Sequence, residues 1–155
     1  LHDAIIRSLS NAGVAPSSVD FVLSGDLLNQ CMGSAFALKD LEIPSIGLFG
    51  ACSTMALSLS TGAMLVNSGA SCVVCATSSH FCSSERQFRF PLEYGGQRPP
   101  TAQWTVTGAG SSVVSNEGRG TEIKAVQIGT ITDLGITDAN NMGAAMAPAS
   151  AILRP

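Results

Sequence analysis

Charge is what this sequence has least of. Asp, Glu, Lys and Arg make up 12% of it, against roughly 25% in an ordinary globular domain. A chain so poor in charge has little surface suited to water. Part of that surface is expected to lie against a partner subunit or a further part of the same protein. The formal net charge is −3 and no basic stripe exists, which excludes nucleic acid as the main partner. Residues 43–84 hold no Asp, Glu, Lys or Arg. The best apolar run, residues 51–66, is interrupted by Ser53, Thr54, Ser58, Ser60, Thr61 and Gly62. A membrane-spanning helix needs about 20 mostly apolar residues, so this segment is read as buried interior.

Other devices are missing too. The cysteines are Cys31, Cys52, Cys72, Cys75 and Cys82, an odd number without dense spacing. That pattern excludes a disulfide scaffold and points to a reducing compartment. Cys72-Val-Val-Cys75 has the CxxC spacing, but it lies in a β-type run, where residues three apart face opposite ways. It is not read as a metal or redox pair. Gly108-Ala109-Gly110 is followed by another β-type run and lacks a third glycine, so it is no dinucleotide fingerprint. The sequence has no phosphate-binding loop and no zinc spacing. No metal and no cofactor are expected.

The 155 residues, 45% of them hydrophobic, suffice for one ordinary domain with a real core. The chain opens on Leu1 and stops at Pro155 inside a helical pattern, and both ends are read as cuts. Signal and transit sequences are then unreadable here, and their absence carries no meaning.

Helical spacing of Leu1, Ile5, Leu9 and Ala12 predicts a helix over residues 2–12, closed by Gly13 with Pro16 beyond it. Residues 19–24 read as a strand. Residues 27–41 read as a helix with Asp26 as candidate N-cap. A strand over 45–49 leads through Gly50-Ala51-Cys52 into a helix over 53–67, apolar around most of its surface and so buried on several sides. Residues 71–77 read as a third strand. Residues 79–103 form a long irregular stretch, of the kind that is usually functional or disordered. Two more strands are expected over 105–115 and 121–132, joined by a turn at 116–120. Strands alternating with helices imply right-handed crossovers and an α/β fold with a mainly parallel sheet covered on both faces.

Such sheets place their sites at the carboxyl ends of the strands. On that edge fall Asp26 after the first strand, Cys52 after the second and His80 after the third. A cysteine in a turn that opens a helix feels the helix's positive end, which favours thiolate and suits a nucleophile. A small buried hydrophobe is the other reading of Cys52. His80 is a base or anion donor, or else a hydrogen-bonded loop histidine. Asp26 is a cap, or the third member of a Cys–His–Asp set. The long stretch mixes Glu85, Arg86, Arg89, Glu93 and Arg98 with Phe88, Phe90 and Tyr94. Arginine forks bind carboxylates and aromatic rings stack on flat ligands, so the mixture suits an aromatic dicarboxylate. Glu–Arg pairing within the loop, or a subunit interface, explains the same residues.

The stretch GLFGACST at residues 47–54 resembles the nucleophile turn of the thiolase and ketoacyl synthase superfamily. TGAGSSVV at 107–114 resembles that superfamily's later glycine-rich strand, without the acidic residue that synthases tend to carry near Thr107. A closer resemblance is to the stage V sporulation protein AD family. It rests on DFVLSGDLLNQ (20–30), GLFGACST, ATSSH (76–80), ERQFR (85–89), EYGGQ (93–97), DLGITD (133–138) and MGAAMAPA (142–149).

The resemblance implies a thiolase-like fold, made of two similar halves around mainly parallel sheets. Residues 1–118 would be a partial first half and residues 119–155 the start of the second. It implies a binder of dipicolinic acid, free or as its calcium chelate, that serves uptake into the developing spore. That protein would be held peripherally at the spore inner membrane, beside other membrane proteins of the uptake system. A homodimer, paired through the sheet edge near the Cys turn, is implied as well. The ligand-binding candidates are Cys52, His80, Arg86, Arg89 and Tyr94. The alternative is an acyltransferase of the thiolase class, with Cys52 as nucleophile on a coenzyme A thioester. The His and Asn groups that condensing enzymes need would lie beyond Pro155. Cys31 has no role on this reading.

Overall fold

The computed structural model describes residues 1–28, 30–88, 104–118, 120–130 and 135. Residues 1–121 gather as one compact unit and residues 122–155 as another. The first unit holds all the regular elements among the described residues. In order they are helix α1 (His2–Ala12), a 3-10 turn (Pro16–Ser18), strand β1 (Phe21–Asp26), helix α2 (Met32–Leu38) and strand β2 (Ser45–Gly47). A second 3-10 turn (Ala51–Ser53), helix α3 (Thr54–Asn67), strand β3 (Cys72–Ser79), helix α4 (Phe81–Phe88) and strand β4 (Gly108–Ser115) follow.

The strands form one sheet in the order β2-β1-β3-β4. β1 runs parallel to β2, with Leu23 opposite Ile46, and parallel to β3, with Leu23 opposite Cys75. β4 returns antiparallel to β3, with Val74 opposite Val113. Parallel neighbours need crossover helices and antiparallel ones do not. α2, α3 and their loops supply the crossovers here.

Alternation along β1 and β3 splits the core between the two faces of the sheet. Val22, Cys72, Val74 and Ala76 face one way, against Ile5, Leu9 and Leu38 of the helices. Leu23, Val73 and Cys75 face the other, against Leu59, Leu65 and Val66 of α3. Cys72 and Cys75 thus lie in different cores, as their spacing predicted. α1 ends as its sequence requires. Gly13 takes the left-handed conformation at φ 67, and the Val14 N–H reaches back to the Leu9 carbonyl at 3.0 Å, the closing pattern that glycine favours.

α3 departs from expectation. Its inner stripe is Thr54, Ser58 and Gly62, small groups that let the helix lie close to the sheet. A Cβ on Gly62 would stand 2.8 Å from Cys75 Sγ. Leu59, Leu65 and Val66 flank that stripe half-buried, whereas Leu57 and Met64 are exposed, Met64 to 44%. The helix is therefore buried on one narrow side only among the described residues. No helix among them is long and apolar enough to cross a membrane.

Three further expectations are corrected. Residues 27, 28, 30 and 31 are not helical, and α2 begins at Met32, because Asp26 holds residue 28 in a turn before the helix starts. Residues 81–88 are helix rather than irregular loop. The strand expected over 121–132 does not form across residues 121–130. The turn at 116–118 is present, with Gly118 at φ 123.

Candidate functional site

Asp26 is the last residue of β1, Cys52 lies five residues beyond the end of β2 and His80 directly follows β3, and the three are not equivalent. Asp26 is 4% exposed and closes β1. Its Oδ1 accepts the Leu28 N–H at 2.8 Å, and its Oδ2 accepts the Ser34 N–H and the Ser34 Oγ–H, each at 2.9 Å. The carboxylate therefore caps α2 from a strand rather than from the residue before it. Ser34 is the third residue of the helix, where a capping side chain normally bonds. Cys31 occupies the position just before α2, with a left-handed backbone at φ 52, and its thiol donates to the Leu48 carbonyl at 3.4 Å. Burial, then the Asp26 charge, raises its pKa from the ordinary thiol value. The residue that the sequence left without a role thus joins α2 to the loop before Cys52.

That loop is held from several sides. The Leu48 N–H donates to the Ser24 carbonyl at 2.8 Å. Gly25 lies so close that a Cβ there would stand 2.1 Å from the Leu48 carbonyl oxygen and 2.6 Å from Thr54 Cγ2. Gly50 donates to Thr54 Oγ1 at 3.1 Å, Thr54 Oγ1 donates to the Ala51 carbonyl at 2.9 Å, and Ser53 Oγ donates to the Gly50 carbonyl at 2.7 Å. Ala51 is held at φ 48, a left-handed conformation that costs an alanine about 1–2 kcal/mol. Cys52 follows directly, exposed, in the turn that feeds α3. A strained, over-determined turn beside a nucleophile type is a common feature of functional sites.

The other half of the edge is built by β3, α4 and residues 104–107. The Phe81 N–H donates to Thr107 Oγ1 at 2.9 Å, and Ser79 Oγ donates to the Val106 carbonyl. The Phe81 and Trp104 rings stack with centroids 5.6 Å apart. Glu85 is buried, and its Oε1 accepts both the N–H and the Oγ–H of Thr105, at 2.7 and 2.8 Å. The charged ERQFR stretch therefore begins with an anchoring carboxylate, which the sequence did not distinguish from its neighbours.

Between these parts lies a pocket of about 380 Å³, within the range of small-molecule sites. Asp26, Ser78, His80, Ser84 and Thr107 contribute its polar wall, and Leu27, Leu28 and Ala37 contribute apolar surface. Leu28 also borders a second cavity, of about 330 Å³, with Cys82, Ser83 and Arg86. His80 thus lines the first cavity and Arg86 the second, while Cys52 lines neither. Arg89 and Tyr94 lie outside the described residues. No Cys–His–Asp set is seen among the described residues: the Asp26 carboxylate accepts from Leu28 and Ser34, and Cys52 does not line the cavity that His80 lines. No group of three or more metal-ligating side chains occurs among the described residues.

The sequence-derived edge missed Ser84. It is 1% exposed, lines the first pocket, and its Oγ has no hydrogen-bond partner. The signal that could have found it is the spacing from His80, one helical turn away, once residues 81–88 are known to be helix.

Comparison with solved structures identifies the architecture. The chain is similar to 3-oxoacyl-[acyl-carrier-protein] synthase III from Aquifex aeolicus VF5, with TM-score 0.59 and 18% identity over 76% of this chain and 38% of that one. It is also similar to AbyA1, a tetronic acid condensing enzyme, with TM-score 0.54 and 21% identity over 76% of this chain and 36% of that one. The priming β-ketosynthase of the R1128 polyketide pathway gives TM-score 0.54 and 23% identity over 74% and 34%. At such identities the likeness concerns the fold, which is thiolase-like.

Sequence comparison is more specific. The family described as Stage V sporulation protein AD matches residues 1–153. The chain is 43% identical over 152 residues to Stage V sporulation protein AD of Bacillus subtilis (strain 168). It belongs to the stage V sporulation protein AD family. The match covers 97% of this chain and 45% of that relative, so the chain spans less than half the relative's length.

Proposed function

We propose that this chain is part of a protein that binds dipicolinic acid, pyridine-2,6-dicarboxylate, for its uptake into the developing spore. On this reading the protein is a binder and not a condensing enzyme. It pairs with a second copy and is held peripherally at the spore inner membrane beside other membrane proteins of the uptake system. The observation that carries the reading is the pocket at the carboxyl edge of the sheet, in a chain of this family. Its apolar wall suits a flat ring, and its serine hydroxyls and His80 suit a carboxylate. Arg86, exposed on α4, is the candidate partner of the ligand's carboxylates together with Arg89, and Tyr94 is the candidate stacking ring. The test is calorimetric titration of dipicolinate into the full-length protein, with and without calcium. Saturable binding supports the reading, and a folded sample that does not bind overturns it. Replacing Arg86 and Arg89 together by alanine is expected to weaken binding at least tenfold, since a hydrogen bond to a charged group contributes about 1.5–3 kcal/mol. Unchanged affinity would remove those two residues from the site.

A second reading is supported by the strained turn at Ala51 and the exposed Cys52 after it. Here Cys52 accepts an acyl group from a coenzyme A thioester, its sulfur attacking the thioester carbonyl while coenzyme A leaves as the thiol. Intact-mass measurement after incubation with acetyl- or malonyl-coenzyme A decides it. An adduct absent from the Cys52→Ser variant is the supporting result, and no adduct in the unaltered protein counts against it.

A further inference from the structure

One polar group in the carboxyl-edge pocket is left unserved by the fold. Ser84 stands in the first turn of α4. Its backbone N–H is satisfied by the His80 carbonyl at 2.9 Å, but its Oγ is buried with no partner. Three other polar side chains that line the pocket are already engaged. Thr107 Oγ1 accepts from Phe81, Ser79 Oγ donates to Val106, and the Asp26 carboxylate takes three donors from Leu28 and Ser34. Buried hydroxyls are almost always bonded, because burial strips their water and returns nothing. Ser84 is a lining residue of the pocket, so an unpartnered hydroxyl there is a group in reserve for what enters the pocket.

We propose that Ser84 is a ligand-contacting residue, its hydroxyl donating to a carboxylate oxygen of an aromatic dicarboxylate bound in this pocket. This inference rests on the dipicolinate reading above and deepens it by naming the buried donor. A hydroxyl is suited to the task because an O–H bond to an ionised acceptor is roughly twice as strong as one between neutral groups. His80, one turn earlier, and Ser78, at the end of β3, line the same pocket and stand as further donors. Leu27 and Leu28 give the ring an apolar surface on which to lie.

The experiment compares unaltered full-length protein with Ser84→Ala, by calorimetric titration of dipicolinate and by thermal melting without ligand. The expected result is an affinity about tenfold or more weaker in the variant. The ligand-free melting temperature should be unchanged or higher, because the substitution removes a polar group that the fold does not use. A purely structural serine would behave in the opposite way, so a lower ligand-free melting temperature overturns the proposal. Unchanged affinity in the variant overturns it too, and leaves the dipicolinate reading intact. If the unaltered protein does not bind dipicolinate, the dipicolinate reading fails and this inference fails with it.

Discussion

Replacing Asp26 by asparagine changes one atom of the side chain and removes its charge. The structure gives the consequence bond by bond. Oδ2 serves two donors of Ser34 and Oδ1 serves the Leu28 N–H. The asparagine oxygen fits best in the Oδ2 position, where it keeps both bonds to Ser34 in a weaker, neutral form. The amide NH₂ then faces the Leu28 N–H, donor against donor, and that bond is lost. Losing one charge-assisted bond costs about 1.5–3 kcal/mol, and two weakened ones cost up to about 1 kcal/mol each. The expected loss of stability is about 3 kcal/mol. Urea unfolding of the full-length protein followed by circular dichroism measures it, provided the slope of free energy against urea is unchanged. Asp26→Glu should not restore the lost stability, because the longer arm misplaces both oxygens relative to the start of α2. A loss below about 1 kcal/mol for Asp26→Asn would refute the view that this carboxylate clasps α2, and would return it to the pocket as a group free to act on a ligand.

Three other outcomes follow from the same geometry. Gly25→Ala would place a methyl 2.1 Å from the Leu48 carbonyl oxygen and push the loop that carries Cys52. A loss of at least about 3 kcal/mol in urea unfolding is expected, above the usual overpacking range because backbone must move. A neutral variant would show that the loop is not pinned there. Gly62→Ala should lose about 1–3 kcal/mol, because its methyl meets Cys75 Sγ at 2.8 Å. Cys75→Ala should relieve most of that loss in the double variant, and strict additivity would refute the contact. Burial pushes the Cys75 thiol up to about 11 from its ordinary 9.0. The unfolded chain therefore releases this proton at lower pH than the folded chain, so stability is full below pH 9 and falls as pH rises towards 11. Between pH 8 and 10.5 the stability advantage of the unaltered protein over Cys75→Ala should shrink by about 2 kcal/mol. A constant difference between the two proteins would refute the assignment.

Much of the fold was legible because local chemistry and tertiary need agree at many positions. α1 carries its buried face at Ile5 and Leu9 and its stop signal at Gly13. The alternating residues of β3 supply both faces of a sheet, which is why the spacing of Cys72 and Cys75 alone assigns them to opposite sides. α4 was illegible because residues 81–88 are followed by a stretch rich in Gly and Pro, and the shorter pattern was absorbed into it. The helix is anchored by Glu85 on Thr105 and by Phe81 on Trp104 and Thr107, partners that lie some twenty or more residues away in sequence. Periodicity within a window cannot register such bonds.

By itself the sequence determined the class of fold and the family. Strand and helix periods, tight-turn glycines and the GLFGACST turn are local properties, so they survive in one dimension. Only the tertiary structure decided which residues of the carboxyl edge share a pocket. It committed Asp26 to α2, set Cys52 apart from the cavity that His80 lines, gave Cys31 a partner at Leu48, and left the Ser84 hydroxyl unpaired. The physical reason is that hydrogen-bond satisfaction and burial are properties of neighbours in space. A carboxylate or hydroxyl in sequence is equally a cap, an anchor or a ligand donor until the chain has chosen what stands within hydrogen-bonding reach of it.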